Sequence, residues 1–168
     1  EITTRLVGSE MCKETAITDG NLYQIDSEAH QVLVKHIGGA TDGPIIKEFS
    51  IDEEFENYTI RCVIDGKIVV DGQQKSEDGT TQSITHIIDC DTGETKAWPL
   101  YYDSAVTSHP AQVEILAMQD DAFLVRCGVE TLDVKYGDGG TYTMSNSQYA
   151  TIKKSDFWYG IENYNYFA

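Results

Sequence analysis

The sequence predicts an all-β protein made of blade-like antiparallel repeats, on two observations. Apolar and polar residues alternate at a period of two in "YTIRCVI", "KIVVDG", "SITHIID" and "FLVRC", the pattern of strands with one buried face. Turn signals punctuate the chain at Asp65-Gly66, Asp71-Gly72, Asp78-Gly79, Thr92-Gly93 and Asp138-Gly139, where a residue tolerant of positive φ closes a short hairpin. No segment carries apolar residues at i, i+3, i+4 and i+7, and "SIDEEFENY" offers one helical turn at most.

The order of the elements suggests a unit used more than once. "PIIKEFSIDEEFENYTIRC" (Pro44–Cys62) and "PAQVEILAMQDDAFLVRC" (Pro110–Cys127) both open on proline, pass through apolar and acidic stretches, and close on Arg-Cys 65 residues apart. At the same offset "SITHIID" (Ser83–Asp89) falls opposite "QYATIKK" (Gln148–Lys154). "LYQIDSEAHQVLVKHI" (Leu22–Ile37) resembles "HIIDCDTGETKAWPL" (His86–Leu100), a strand ending on Ile-Asp, a polar turn and a second strand. Self-similarity of this kind marks a repeat architecture. The reading is one β-repeat domain over 1–168, with a partial unit at 1–43 and repeats at 44–109 and 110–168.

Short strands joined by hairpins, about four to a unit, describe a propeller blade. The polar stretches Gln73–Gln82, Tyr101–His109 and Tyr136–Ser147 are expected as loops at the blade edges. Closed propellers use roughly four to eight blades, more than these units supply. The chain opens on Glu1 rather than methionine, so part of a longer propeller is the favoured expectation. The alternatives are copies that associate to complete a ring, and an open sandwich. "EITTRLVGS" at the start is expected to be a strand that pairs with the end of the chain.

The run "ATIKKSDFWYGIENYNYF" (Ala150–Phe167), with "NLYQIDSEAHQVLV" and "IIDCDTGETKAWPL", is similar to exported β-propeller proteins of Gram-positive gut bacteria, many of unknown function, which end on a comparable polar-aromatic tail. The resemblance implies an extracytoplasmic location, secreted or at the cell surface, often with a lipid anchor. Its motifs are short, and it transfers no catalytic residue.

Composition narrows the function classes. A formal net charge of −16 over 168 residues repels phosphate backbones and anionic lipid, so no nucleic-acid partner is expected. No apolar run reaches the roughly 20 residues of a membrane span. Cys12, Cys62, Cys90 and Cys127 lack the CxxC spacing of a zinc or redox motif. Cys62 and Cys127 read as small buried thiols, not bonded to each other; export would leave room for one or two disulfides among the four cysteines. His30, His36, His86 and His109 show no HExxH or HxH spacing, and His86 alternates with Ile84 and Ile88 as a half-buried strand residue. "DCDTGE" sets Asp89, Asp91 and Glu94 near one another but lacks the twelve-residue calcium loop, so it reads as a hairpin turn. No GxSxG, GxGxxG or GKS/T motif occurs. No catalytic residue, metal ligand or cofactor is therefore expected.

Aromatic residues are the most suggestive class. Trp98, Tyr101 and Tyr102 flank a strand end, and Trp158 and Tyr159 stand in the ring-rich tail; flat rings give large contact area at low entropy cost. These five are the candidate ligand-binding residues. Against that reading, the tail from 156 to 167 is expected to fold back and pack its rings on the final sheet. The expected function is a non-catalytic binding or scaffold module that presents loops to a protein, peptide or glycan. The alternative is the propeller portion of a secreted hydrolase or lyase acting on polysaccharide or peptide.

Overall fold

A computed structural model describes residues 15–37, 43–76, 79–104, 109–135, 137 and 139–167. The expected N-terminal strand "EITTRLVGS" and Cys12 lie outside the described residues, as do Asp78 and Asp138. The chain is all-β with antiparallel sheets, and it divides into two compact units, one running to Trp98 and the other continuing from Pro99.

In the first unit, β1 (Thr15–Thr18), β2 (Asn21–Asp26), β3 (Gln31–His36) and β4 (Ile45–Ser50) form a sheet in chain order. Asp19 and Gly20 turn β1 into β2 with φ of 50° and 75°, the double positive φ of a tight two-residue hairpin. Register places Ile25 opposite Val32, and Val32 opposite Phe49. This apolar row crosses three strands on one face, and all three residues are buried.

A second sheet follows, again in chain order: β5 (Phe55–Ile64), β6 (Lys67–Lys75), β7 (Thr81–Asp89) and β8 (Thr95–Ala97). Asp65 and Gly66 close its first hairpin at φ 53° and 69°. Phe55, Tyr58, Ile60, Ile68, Val70 and Ile88 from this sheet join Tyr23, Ile25, Val32, Val34 and Phe49 from the first in one core. β2 to β7 thus each contribute apolar residues to a core shared by the two sheets.

The unit from Pro99 holds a short pair, β9 (Tyr101–Tyr102) with β10 (Ala111–Gln112), and a third four-stranded sheet. That sheet runs β11 (Glu114–Met118), β12 (Ala122–Lys135), β13 (Thr141–Lys153) and, after helix α1 (Lys154–Trp158), β14 (Asn165–Tyr166). Phe123 faces Ile152, and Val125 faces Ala150; these four and Phe157 lie in its core with Ile115 and Cys127. No helix among the described residues is long and apolar enough to cross a membrane.

Several expectations need correcting. Asp71-Gly72 is no turn: both residues lie inside β6, opposite Thr85 and Ile84. The stretch Gln73–Gln82 is strand at both ends, because β6 runs to Lys75 and β7 starts at Thr81. Residues 141–147 are strand rather than loop. They lack alternation because neither of their faces is buried, so polarity there says nothing about backbone pairing. "SIDEEFENY" holds a turn and then the start of β5, and among the described residues the one helix lies in "KSDFW".

The Arg-Cys match also divides differently. β4 pairs with β3 while β5 opens the next sheet, so Pro44–Cys62 spans two sheets. Cys62 sits on the first strand of its sheet and Cys127 on the second strand of its own. The 65-residue offset aligns stretches of similar composition, not equivalent strands. The described strands form open sheets, with no closed barrel or propeller ring.

Candidate functional site

The five candidate aromatics fall in contrasting surroundings. Trp98 follows β8, and its backbone amide donates to the Thr85 carbonyl at 3.0 Å. Its ring is only 4% exposed, with the Arg61 guanidinium carbon 5.3 Å from the ring centroid. The guanidinium also donates to both carboxylate oxygens of Asp71, at 2.7 and 2.6 Å, and to the Thr85 hydroxyl at 3.1 Å. Thr85 in turn donates to Asp71 at 2.6 Å. The result is a polar rung across β5, β6 and β7 that ends on the indole. Trp98 is a structural ring, and its burial removes it as an exposed platform.

Tyr101 and Tyr102 form β9 against Gln112 and Ala111; Tyr101 is exposed and Tyr102 half-buried. Trp158 closes α1. Its ring meets Phe123 edge-on at 5.5 Å and Phe157 at 5.0 Å, and Phe157 meets Phe123 at 5.3 Å. Phe123 and Phe157 are both 0% exposed. The edge-to-face triangle is a favourable quadrupole arrangement, and it fixes the helix end on the sheet.

Tyr159 projects from that fixed end with 79% of its surface exposed. Its amide donates to the Ser155 carbonyl at 3.0 Å, and that of Gly160 donates to the Phe157 carbonyl at 3.1 Å. Gly160 holds φ at 69°, and a Cβ there would lie 3.3 Å from the Pro99 carbonyl oxygen, so glycine suits the turn on both counts. Asp156 ties the next residues down: its carbonyl accepts from the Ile161 amide at 2.8 Å, and its carboxylate accepts from the Asn163 side chain at 3.0 Å. β14 then adds to β13 opposite Ala150 and Thr151. The tail therefore folds back on the final sheet as expected, yet leaves Tyr159, Ile161, Tyr166 and Phe167 exposed.

The ionisable groups near these rings are quiet. Cys62, Cys90 and Cys127 are free thiols, and burial pushes each one's pKa up, that of Cys62 to about 11. They are protonated at neutral pH and are poor nucleophiles. Burial likewise drives the Tyr164 phenol well above its usual value. Asp89 accepts Lys67 Nζ at 2.8 Å and the amides of Asp91 and Thr92 at 2.9 Å each. Its carboxylate is engaged in an Asx turn.

Sequence reading missed a ring ladder in the first unit. The Tyr58 hydroxyl hydrogen-bonds His30 Nδ1, Tyr58 stacks on Phe55 at 5.6 Å, and Phe55 stacks on His86 at 4.5 Å. His86 is half-buried as expected, but its Nδ1 has no hydrogen-bond partner among the described residues. Burial lowers its pKa, against the opposing pull of Asp52. His30 stands at the β2–β3 turn with φ 51°, a position whose spatial neighbours no local pattern reveals.

Comparison with protein-family models, curated protein sequences and solved structures finds no match.

Proposed function

We propose that the chain is a non-catalytic, extracytoplasmic binding or scaffold module of propeller type, akin to exported propeller proteins, that presents loops and rings to a protein, peptide or glycan. The observation that carries the binding reading is Tyr159. Its ring is open to solvent, while the residues before it are anchored by the buried Phe157. A ring held in place before contact loses little entropy on binding. Tyr101, exposed on β9 of the same unit, is the second ring offered. The blade reading is supported by three successive four-stranded sheets, each a simple meander in chain order.

The test is a screen of the purified chain against glycan and peptide arrays, followed by titration of any hit. Tyr159→Ala should weaken binding by about tenfold or more, the scale of an aromatic anchor, and leave the melting temperature unchanged. Binding unaffected by both Tyr159→Ala and Tyr101→Ala would refute these rings as the contact. Release of reducing sugars or peptide fragments from a polysaccharide or protein substrate would instead support the hydrolase or lyase alternative.

A further inference from the structure

We propose that the His86 imidazole triggers an acid-operated latch: its protonation releases the β2–β3 turn from the second sheet. This goes beyond the binding reading and does not rest on it.

The latch joins the two sheets of the first unit. His86, on β7, lies face to face with Phe55, with 4.5 Å between ring centroids and 12° between planes. Phe55 stacks in turn on Tyr58, and the Tyr58 hydroxyl hydrogen-bonds His30 Nδ1 at the β2–β3 turn. The backbone holds the same turn a second time, because the Ile51 amide donates to the His30 carbonyl at 2.8 Å. Ile51, Phe55 and Tyr58 are all buried.

The segment that carries Phe55 and Tyr58 can move without unzipping its sheet. β5 loses register with β6 between Glu56 and Thr59, and Asn57, inside that bulge, holds φ at 52°. A bulge interrupts the ladder, so 55–58 can lift while Thr59 to Ile64 stay paired with β6. On its outer side the segment is held by Asn57 with Gln73 and by Glu56 with Lys75. Both contacts are exposed, and exposed polar pairs contribute little.

His86 Nδ1 is buried and has no hydrogen-bond partner among the described residues. A neutral imidazole can leave that nitrogen as a bare acceptor, but the imidazolium carries N–H on both nitrogens. A buried charge with an unanswered donor is costly. The surroundings offer little in return. β6 sets Val70 opposite His86 and β8 sets Ala97, neither of them charged. Tyr58 stays neutral, because burial pushes its phenol up. The Phe55 face attracts a cation weakly. Asp52, between β4 and β5, pulls toward the charged form, and burial outweighs it. Its carboxylate already accepts the Glu54 amide at 3.0 Å, and its carbonyl the Phe55 amide at 3.1 Å. A charged His86 therefore gains water or Asp52 only by leaving the Phe55 stack, which frees Phe55 and Tyr58 and lets the turn go. His30 is not the trigger. Its nitrogen accepts from the Tyr58 hydroxyl when neutral and donates to it when charged, so that bond survives either state.

The closed latch holds the His86 pKa below 6.5, and the open one restores it, so acid favours opening. Above 6.5 the latch is closed; between 6.5 and the closed-state value the open population grows about tenfold per pH unit, and below that it levels off. Amide hydrogen exchange of the full chain at about pH 7.5 and about pH 5, corrected for the intrinsic pH dependence of exchange, reads the opening. The Ile51 and Phe55 amides should lose protection severalfold in acid, while the β6–β7 and β12–β13 ladders keep theirs. His86→Phe keeps a ring on Phe55 without the titrating group and should make protection at Ile51 and Phe55 equal at both pH values. NMR titration of the unmodified chain gives a check independent of the variant's folding: the His86 ring should titrate below 6.5, and the Tyr58 and His30 signals should move with the same midpoint. Protection at Ile51 and Phe55 that ignores pH, a loss that persists in His86→Phe, a loss shared equally by all the ladders, or a His86 titration that leaves Tyr58 unmoved each overturns the proposal.

Discussion

Arg61 and Arg126 occupy the same place in two similar sequence stretches and do different work. Arg61, on the first strand of its sheet, reaches across to Asp71 and Thr85. Arg126, on a second strand, pairs with Glu114 at 2.8 Å while its buried Nε lacks a partner among the described residues. The motif Arg-Cys was legible; its partners were not, because they are chosen by strand pairing. Gly72 shows the same limit. It reads as a turn residue, yet it lies within β6, where a Cβ would come 2.7 and 2.8 Å from the Phe55 ring and 3.1 Å from the Glu56 carbonyl oxygen. Phe55 is held between Tyr58 and His86, so it has little room to give. Gly72→Ala should therefore destabilise the protein by about 1–3 kcal/mol, read from urea unfolding; an unchanged midpoint would show that the ring moves freely. His86 makes a pH prediction. Its folded pKa lies below 6.5 because burial disfavours the imidazolium, so the unfolded chain binds a proton that the folded chain resists. Its contribution is intact above 6.5 and lost as pH falls toward the folded value. Asp89 adds the same sign lower down. Hydrogen bonds from Lys67, then from the Thr92 amide, hold its pKa well below 3.8, so its contribution is present above 3.8 and lost as pH falls beneath that. The melting temperature should fall between about pH 7 and about pH 5, and His86→Phe, which keeps an aromatic ring on Phe55, should flatten that fall.

Among elements, the hairpin at Asp65-Gly66 was the most legible, since double positive φ is a local property of two residues; Asp71-Gly72 shows that the same pair can lie within a strand. Asp65-Gly66 closes β5 onto β6 as its sequence implies. The ribbon of β12 and β13 was the least legible, because a strand with two solvated faces has no hydrophobic alternation to betray it. The C-terminal tail lies between these cases. Its rings announced an element, and the residues that fold it back, Gly160 and Asn163, stand where the chain turns. Only the structure separates Phe157, fully buried, from Tyr159, almost fully exposed two positions later. Phe157→Ala should cost about 3–5 kcal/mol, as for a buried phenylalanine whose site cannot collapse, whereas Tyr159→Ala should stay within about 0.5 kcal/mol. Thermal or urea unfolding of the two variants checks the contrast, and equal losses would mean that Tyr159 packs in solution.

At the scale of the whole molecule, charge is the property the sequence states outright. A formal net charge of −16 places like charges around both units, and self-repulsion of that kind opposes compact structure. Raising NaCl from about 0.02 to about 0.2 M should screen it and raise the melting temperature. A fall would mean that ion pairs such as Arg61–Asp71 and Lys67–Asp89 outweigh the repulsion. The sequence by itself determined the all-β class and the tight turn at Asp65-Gly66, because side-chain alternation and positive φ are properties of neighbours along the chain. It also determined that the rings cluster toward the C-terminus. Only the tertiary structure decided that β4 and β5 belong to different sheets, that Trp98 is buried while Tyr159 is open, and that β12 and β13 continue as a ribbon past Gly128. Each of these depends on which strand lies alongside which, and the residues that settle it are far apart in the chain.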